Sequence, residues 1–214
     1  MNSFRRELLD QSLEKYKPLM TGRVMDIGGK KVKKRGSFTP PLKNVKSWEY
    51  LNSDDATNPD YSCNAENIPL RDGSINTVIM TEVLEYLPNP HKVFAEIHRI
   101  LTDNGHVLVS TPFLNPVHGD HWADRARYTP VMLNEIIDSV GLNIKSIRPM
   151  GSVGAVLFDI LRVTFGYASE KRAKPIIYRI LLCLRPLFKW IDINCSKQSK
   201  YINTGYFLVI VKGI

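Results

Sequence analysis

The sequence predicts a doubly wound α/β domain on a mostly parallel sheet of seven strands, with a helical insertion before the last strand. Three observations carry this reading. Short apolar strands alternate with segments of helical period along most of the 214 residues. One strand, INTVIMT, is apolar almost throughout, the pattern of a strand buried on both faces of a parallel sheet. Residues 151–202 break the alternation with two apolar-faced helical stretches in succession. The sheet domain is therefore expected to comprise residues 1–150 and 203–214, with 151–202 inserted into it.

Residues 4–20 read as a short amphipathic helix ending near Pro18, whose ring removes an amide donor. RVMDIGG follows as a strand running into glycines. Residues 30–45 are basic, carry Gly and Pro and show no helical period, so they form a loop. VKSWEYLN suits the second strand and 61–63 a short third; INTVIMT is the fourth, bounded by Asp72-Gly73 and Glu82. Pro90 opens a helix with Val93, Phe94, Ile97, Ile100 and Leu101 on one face, which Asn104-Gly105 is expected to end before the strand HVLVST. Thr129 as N-cap and Pro130 at the first helical position open another helix, carrying Met132, Leu133, Ile136 and Ile137 and closing at Gly141. LNIKSIRP and YFLVIVKG are the last strands, and the insertion holds helices near 153–168 and 175–191.

Composition bounds the function. Hydrophobic residues at 43% and charged residues at 23% exclude wholesale disorder. The net charge of +8 concentrates at 30–34 and 171–200, which suits an anionic partner such as a phosphate, an acidic lipid surface or nucleic acid, the alternative being a solvated basic surface. Nucleic acid is not expected, because neither a recognised motif nor an aromatic-interleaved basic stripe is present. Cys63, Cys183 and Cys195 show neither a disulfide framework nor metal-ligand spacing, which suits a reducing cytoplasm. The N-terminal residues lack the apolar core of a secretory signal. Nor does any apolar run reach the roughly 20 residues of a membrane span.

In an open parallel sheet, ligands bind outside the carboxyl ends of the strands. Four such ends carry suitable residues. VMDIGG offers Asp26, Gly28 and Gly29, where glycine lets backbone approach a ligand closely. LNSDD offers Asn52 and Asp54 to hydroxyls, CNAENIP offers Asn64, Ala65 and Glu66 at a turn, and TEVLEYLPNP places Thr81, Glu82 and Glu85 after the most buried strand. Glu85 reads as a first-turn acid favourable at a helix N-terminus.

The succession VMDIGG, NAENIPLRDGSINTVIMTEVLEYLPNP and AEIHRILTDNGHVLVSTP resembles the core of class I S-adenosylmethionine-dependent methyltransferases, over about residues 22–142. The members it is most similar to are those of sugar and lipid pathways, including carbohydrate and lipopolysaccharide biosynthesis. The resemblance implies a Rossmann-like sheet and S-adenosyl-L-methionine as cofactor. It implies that Asp26, Gly28 and Gly29 face the methionine part, Asn52 or Asp54 the ribose, Asn64 with Ala65 the adenine, and Thr81 with Glu82 the floor beneath the sulfonium. This chain departs from the family's usual pattern with Lys30 and Val32 at positions of alternate glycines, Asn52 and Asn64 at positions of acids, and Tyr86 where a histidine is common.

STPFLNPVHGDHWADRARYTP, after the fifth strand, resembles the acceptor loop of those members. Methyl transfer to a hydroxyl needs a base, and histidine titrates near neutrality. His118 or His121 is the expected base, with Asp120 or Asp124 orienting it and Arg127 anchoring an anionic group. The alternative for Arg127 and Tyr128 is to hold the loop down. HGDH is also a sound set of metal ligands, but no second ligand cluster accompanies it, and no metal is expected. Lys30 and Lys31, beside the expected cofactor site, suit a phosphate-bearing acceptor such as a nucleotide- or lipid-linked sugar. The expected activity is therefore methylation of a small or carbohydrate-like acceptor at oxygen, the rival being a non-catalytic domain of the same fold that binds an anion or a protein. Residues 151–202 are a lid, a homodimer contact or a basic amphipathic element at the inner membrane face, with Pro186 arguing against a span.

Overall fold

The computed structural model describes residues 3–31, 36–117, 123–167 and 176–213. Seven strands, β1 (Arg23–Ile27), β2 (Ser47–Asn52), β3 (Tyr61–Ser62), β4 (Ile75–Thr81), β5 (Leu101–Pro112), β6 (Leu142–Met150) and β7 (Gly205–Lys212), form one sheet in the order β3-β2-β1-β4-β5-β7-β6. All neighbouring pairs are parallel except those of β7, which runs antiparallel to both β5 and β6. The expected doubly wound, mostly parallel α/β sheet is therefore present. Strand order reverses between β1 and β4, and the carboxyl ends there frame a crevice of the kind that holds ligands.

The period of two along the strands divides the core into two layers. Met25, Val78, Met80, Val107, Val109 and Leu208 face α2 (Pro90–Ile100) and α3 (Pro130–Asp138), which contribute Val93, Phe94, Ile97, Leu133 and Ile136. Val24, Ile79, Leu108 and Val209 face the other way, against Leu9 and Leu13 of α1 (Phe4–Tyr16). Phe38, Val45 and Trp48 complete that second layer. The described parts of 28–46 hold no helix, so α1 and an irregular loop cover a face that a helix after β1 would otherwise occupy.

Two expected boundaries move. Asn104-Gly105 does not end α2: the helix stops at Ile100, and the fully buried Leu101 already belongs to β5. Asn104, at φ 59°, instead makes a local reversal inside that strand, where the register against β4 slips between Ile75 and Thr77. In the insertion, α4 (Val153–Tyr167) is followed by α5 (Ile176–Cys183) and α6 (Arg185–Asn194), not by one helix over 175–191. Pro186 occupies the first turn of α6, a position a proline tolerates where a helix interior would not.

The helices of the insertion and α1 hold one another by their ends. The Asp159 carboxylate on α4 accepts the Phe4 and Arg5 amides of α1 at 2.9 and 3.0 Å, satisfying donors that a helix N-terminus leaves unpaired. Asp192 on α6 does the same for α4, accepting from the Ser152 and Ala155 amides at 2.6 and 2.9 Å and from the Ser152 hydroxyl at 2.9 Å. α6 approaches α4 so closely that a Cβ on Gly154 would overlap the Phe188 carbonyl. Phe4, Ala155, Phe158 and Leu181 form a small core shared by α1, α4 and α5. Replacement of Asp192 by alanine removes the acceptor for two amides and should destabilise the protein by about 1–3 kcal/mol, read as a lower urea midpoint at unchanged slope.

Candidate functional site

A cleft of about 1530 Å³ lies over the carboxyl ends of β1, β2 and β4. It exceeds the roughly 300–1,000 Å³ of a single small-molecule pocket, so it has room for two ligands side by side. Asp26, Gly28, Gly29, Lys30, Asn52, Asn64, Ala65, Thr81 and Glu82 all line it.

β1 ends in a turn whose first position calls for glycine. Gly28 sits at φ 77°, donates its amide to the Leu51 carbonyl at 2.7 Å, and has Val83 Cγ2 where a Cβ would stand. A Cβ on Gly29 would overlap the Asp26 carboxylate. Asn52, at the end of β2, braces the same turn: its Nδ2 donates to the Gly29 carbonyl at 3.1 Å and its Oδ1 accepts the Asp54 amide at 3.0 Å. Asp54 is not among the cleft's lining residues; its carboxylate caps the short turn Asp55–Thr57 through the Ala56 amide at 3.0 Å. Lys31 is held by Asp60 at 2.5 Å. Asn64 makes an Asx turn with the Glu66 amide at 3.0 Å, which presents Asn64 and the buried Ala65 to the cleft.

Glu82 follows β4 at φ 56°, a backbone conformation uncommon for a side chain of its size. Arg5 of α1 meets its carboxylate in a fork, with Nε donating to Oε2 at 2.6 Å and Nη2 to Oε1, while the Ser110 hydroxyl donates to Oε1 at 2.6 Å. Arg5 also donates to the Thr204 carbonyl at 2.8 Å. Burial pushes the Glu82 carboxyl upward, but the charge and hydrogen bonds of Arg5, with Ser110, outweigh it and leave the group below the usual carboxylate range. Glu82 is therefore ionised and matched by a buried cation.

Arg6 from α1 lines the cleft as well, and the insertion supplies a further wall with Arg162 and Val163 of α4 and Tyr178 of α5. Sequence reasoning missed these residues. Adjacent arginines in an amphipathic helix carry no sign that the helix will lie across the sheet's carboxyl edge.

The loop after β5 contributes Asn115, Pro116 and Val117 to the cleft. His118, Asp120 and His121, the expected base and its partner, lie outside the described residues. Asp124 and Arg127 form a forked ion pair, with Nη2 to Oδ2 at 2.7 Å, and Arg127 also reaches the Ala126 carbonyl at 2.9 Å. Tyr128 is buried, with its hydroxyl 3.4 Å from the Leu84 carbonyl. These contacts hold the loop, and the Arg127 guanidinium has its carboxylate inside the protein. Glu85 stands in the first turn of the short 3-10 helix Leu84–Tyr86, as its position suggests, and is fully buried there. Burial, then the charges of Glu85, Asp124 and Glu82, push the Tyr86 phenol up to about 12, so it stays protonated at neutral pH. Among the described residues no group of three or more His, Cys, Asp or Glu side chains is placed to hold a metal ion.

The sequence profile of a family described as a methyltransferase domain matches residues 1–139. No protein of curated function matches the chain in sequence. Among solved structures, a protein assigned as a sarcosine dimethylglycine methyltransferase from Galdieria sulphuraria superposes with a TM-score of 0.60 at 15% identity, over 97% of this chain and 85% of that one. The [4+2]-cyclase SpnF superposes with a TM-score of 0.61 at 17% identity, over 96% and 80%. Geranyl diphosphate C-methyltransferase from Streptomyces coelicolor, crystallised with Mg2+, geranyl diphosphate and S-adenosyl-L-homocysteine, superposes at 0.59 with 14% identity, over 97% and 77%. At these identities the likeness is one of fold.

The Arg5–Glu82 pair has a measurable signature. Glu82→Gln leaves a buried guanidinium without its counter-charge and should cost about 3–5 kcal/mol at neutral pH. Because the folded-state pKa of Glu82 lies below its unfolded value, that stabilisation is complete above roughly pH 4.3 and is lost as pH falls through the folded value. Urea unfolding should therefore show the gap between wild type and variant narrowing as the pH falls below that unfolded value.

Proposed function

We propose a function from one premise: the chain belongs to the methyltransferase-domain family. It is an S-adenosylmethionine-dependent methyltransferase whose acceptor is small or carbohydrate-like, borne on a nucleotide or a lipid, and methylated at oxygen. The observation that carries this reading is the convergence of Asp26, Gly28-Gly29, Asn64-Ala65, Thr81 and Glu82 on one cleft at the β1/β4 switch point.

The residues present fit the cofactor. The close approach that Gly28 and Gly29 allow, with the Asp26 carboxylate lying over Gly29, suits the amino-acid end of the ligand. Asn52 is better disposed than Asp54 towards a ribose because it lines the cleft, and Asn64 with Ala65 forms a shallow turn suited to an adenine edge. Thr81 and Glu82 bound the floor. The bound cofactor supplies a methyl group on a sulfonium, an electrophilic carbon with a neutral thioether as leaving group. The chain's own tasks are to align the acceptor oxygen and to take its proton. His118 or His121 is the base, oriented by Asp120; Asp124, whose carboxylate holds Arg127, fixes the loop that carries them. Tyr86, protonated at neutral pH, keeps its proton and does not act as a base. Lys30 is the cleft lysine nearest in sequence to the glycine turn and grips a phosphate on the acceptor, while Lys31 positions the turn through Asp60.

The second reading, a non-catalytic domain, is favoured by one contact: the Asn52 amide is committed to the Gly29 carbonyl. SpnF, a cyclase, has the same fold, so fold alone does not fix methyl transfer. Calorimetric titration distinguishes the two. S-adenosylmethionine and S-adenosylhomocysteine should bind with micromolar affinity, and Gly29→Ala, which forces the Asp26 carboxylate aside, should weaken both by at least about tenfold. Absence of heat with either ligand would promote the non-catalytic reading. With methyl-labelled S-adenosylmethionine and a panel of nucleotide- and lipid-linked sugars, His118→Ala or His121→Ala should lower label transfer by about 10²–10⁴-fold at unchanged cofactor affinity. Full transfer by both variants would remove histidine from the base role.

A further inference from the structure

The insertion has two faces of opposite character. Inward, Tyr178 and Leu181 of α5 are buried, and Arg185 of α6 pairs with Glu7 and lies 4.8 Å over the Phe4 ring. Outward, α5 shows Ile176 at 76% exposure, with Ile177, Ile180 and Leu184 following at helical spacing on the same side. α6 adds Trp190 at 62% and Ile193 at 64%. Large apolar side chains left bare on adjacent elements mark an interaction surface.

Charge identifies what covers it. Residues 176–202 contain five cations and one carboxylate. The carboxylate, Asp192, is turned into the fold against Ser152 and Ala155, and Arg185 is turned in as well. The remaining cations, Arg179, Lys189, Lys197 and Lys200, are all exposed. Arg179 follows Ile176 by three residues and Lys189 precedes Ile193 by four, so cation and apolar group share a side of each helix. Among the described residues 176–202 the outer surface therefore combines bare isoleucines and a tryptophan with exposed cations and carries no exposed acid. A second copy of this chain is a poor match, since a two-fold contact would set these cations against their own kind. An interface of acyl chains and anionic headgroups satisfies both characters at once, with lysine stems lying along the apolar surface and their ammoniums among the headgroups.

We infer that the outer face of α5 and α6 docks on an anionic membrane surface. No described helix is long and apolar enough to cross a membrane, so the contact is peripheral. Tyr178 lines the cleft while its neighbours Ile177 and Ile180 face outward, so docking brings the cleft wall to the headgroup level. The contact does not depend on what the cleft binds, and its test does not use the cofactor.

The test is co-sedimentation of the full chain with vesicles of phosphatidylcholine alone and of phosphatidylcholine with about a third phosphatidylglycerol. The chain should pellet with the anionic vesicles, not with the neutral ones, and less at high salt. Ile180→Glu with Trp190→Glu, and separately Lys189→Glu with Lys197→Glu, alter only exposed positions. Each pair should weaken binding at least about tenfold while thermal unfolding stays where it is in the wild type. Three results would overturn the inference: no pelleting at low salt, equal pelleting with neutral vesicles, or unchanged binding by both variant pairs. A concentration-dependent dimer in sedimentation velocity that Trp190→Glu dissolves, without vesicle binding, would assign the face to a second copy.

Discussion

The buried ion pair between Arg5 and Glu82 ties the cleft together. Glu82 stands at the switch point of the sheet with its backbone in the left-handed region, and Ser110 from the next strand grips the same carboxylate. Arg5 brings α1 across the ends of the strands, and the amides of Phe4 and Arg5 then engage Asp159 of α4. From α4 the linkage continues to α6 through Asp192. The cleft floor, its N-terminal wall and the insertion are thus one mechanical unit, joined at helix ends and charges that are expensive to leave unpaired in a buried setting.

Strands were the most legible part of the sequence. INTVIMT, HVLVST and YFLVIVKG carry apolar runs that only burial explains, and each lies in the central part of the sheet. Helix ends were read well where a side chain performs the cap, as Thr129 does for α3 by accepting the Met132 amide. They were misread where a turn dipeptide lies inside a strand: Asn104-Gly105 looks identical on paper whether it stops a helix or kinks β5. Pro186 bars a membrane span on sequence grounds alone, but its effect of splitting one apolar stripe into two helices follows only once the packing on α4 is known.

The cleft was half legible. Glycines betray themselves because the backbone geometry at Gly28 excludes other residues, and the acid after a buried strand announces Glu82. What the linear text withheld is who meets whom. Arg5 lies 77 residues from Glu82, and nothing local to either marks the pairing. Arg127 illustrates the converse: its type and position suited an anion anchor, and the carboxylate it found was Asp124, three residues away. Local chemistry proposes roles, and tertiary contact decides between them.

The trans-capping of α1 also bears on the order in which the molecule is made. α1 leaves the ribosome ahead of its partners: the carboxylate that completes its first turn is 155 residues downstream, and β7, which fills the place between β5 and β6, follows both of them in the chain. During synthesis the apolar side chains of α1 have no finished partner layer, and the sheet has a vacant slot with unpaired strand edges on both sides. Such high contact order slows closure and leaves the nascent chain exposed to wrong pairings until β7 arrives. α1 is therefore translated well before the elements it depends on and settles only after them.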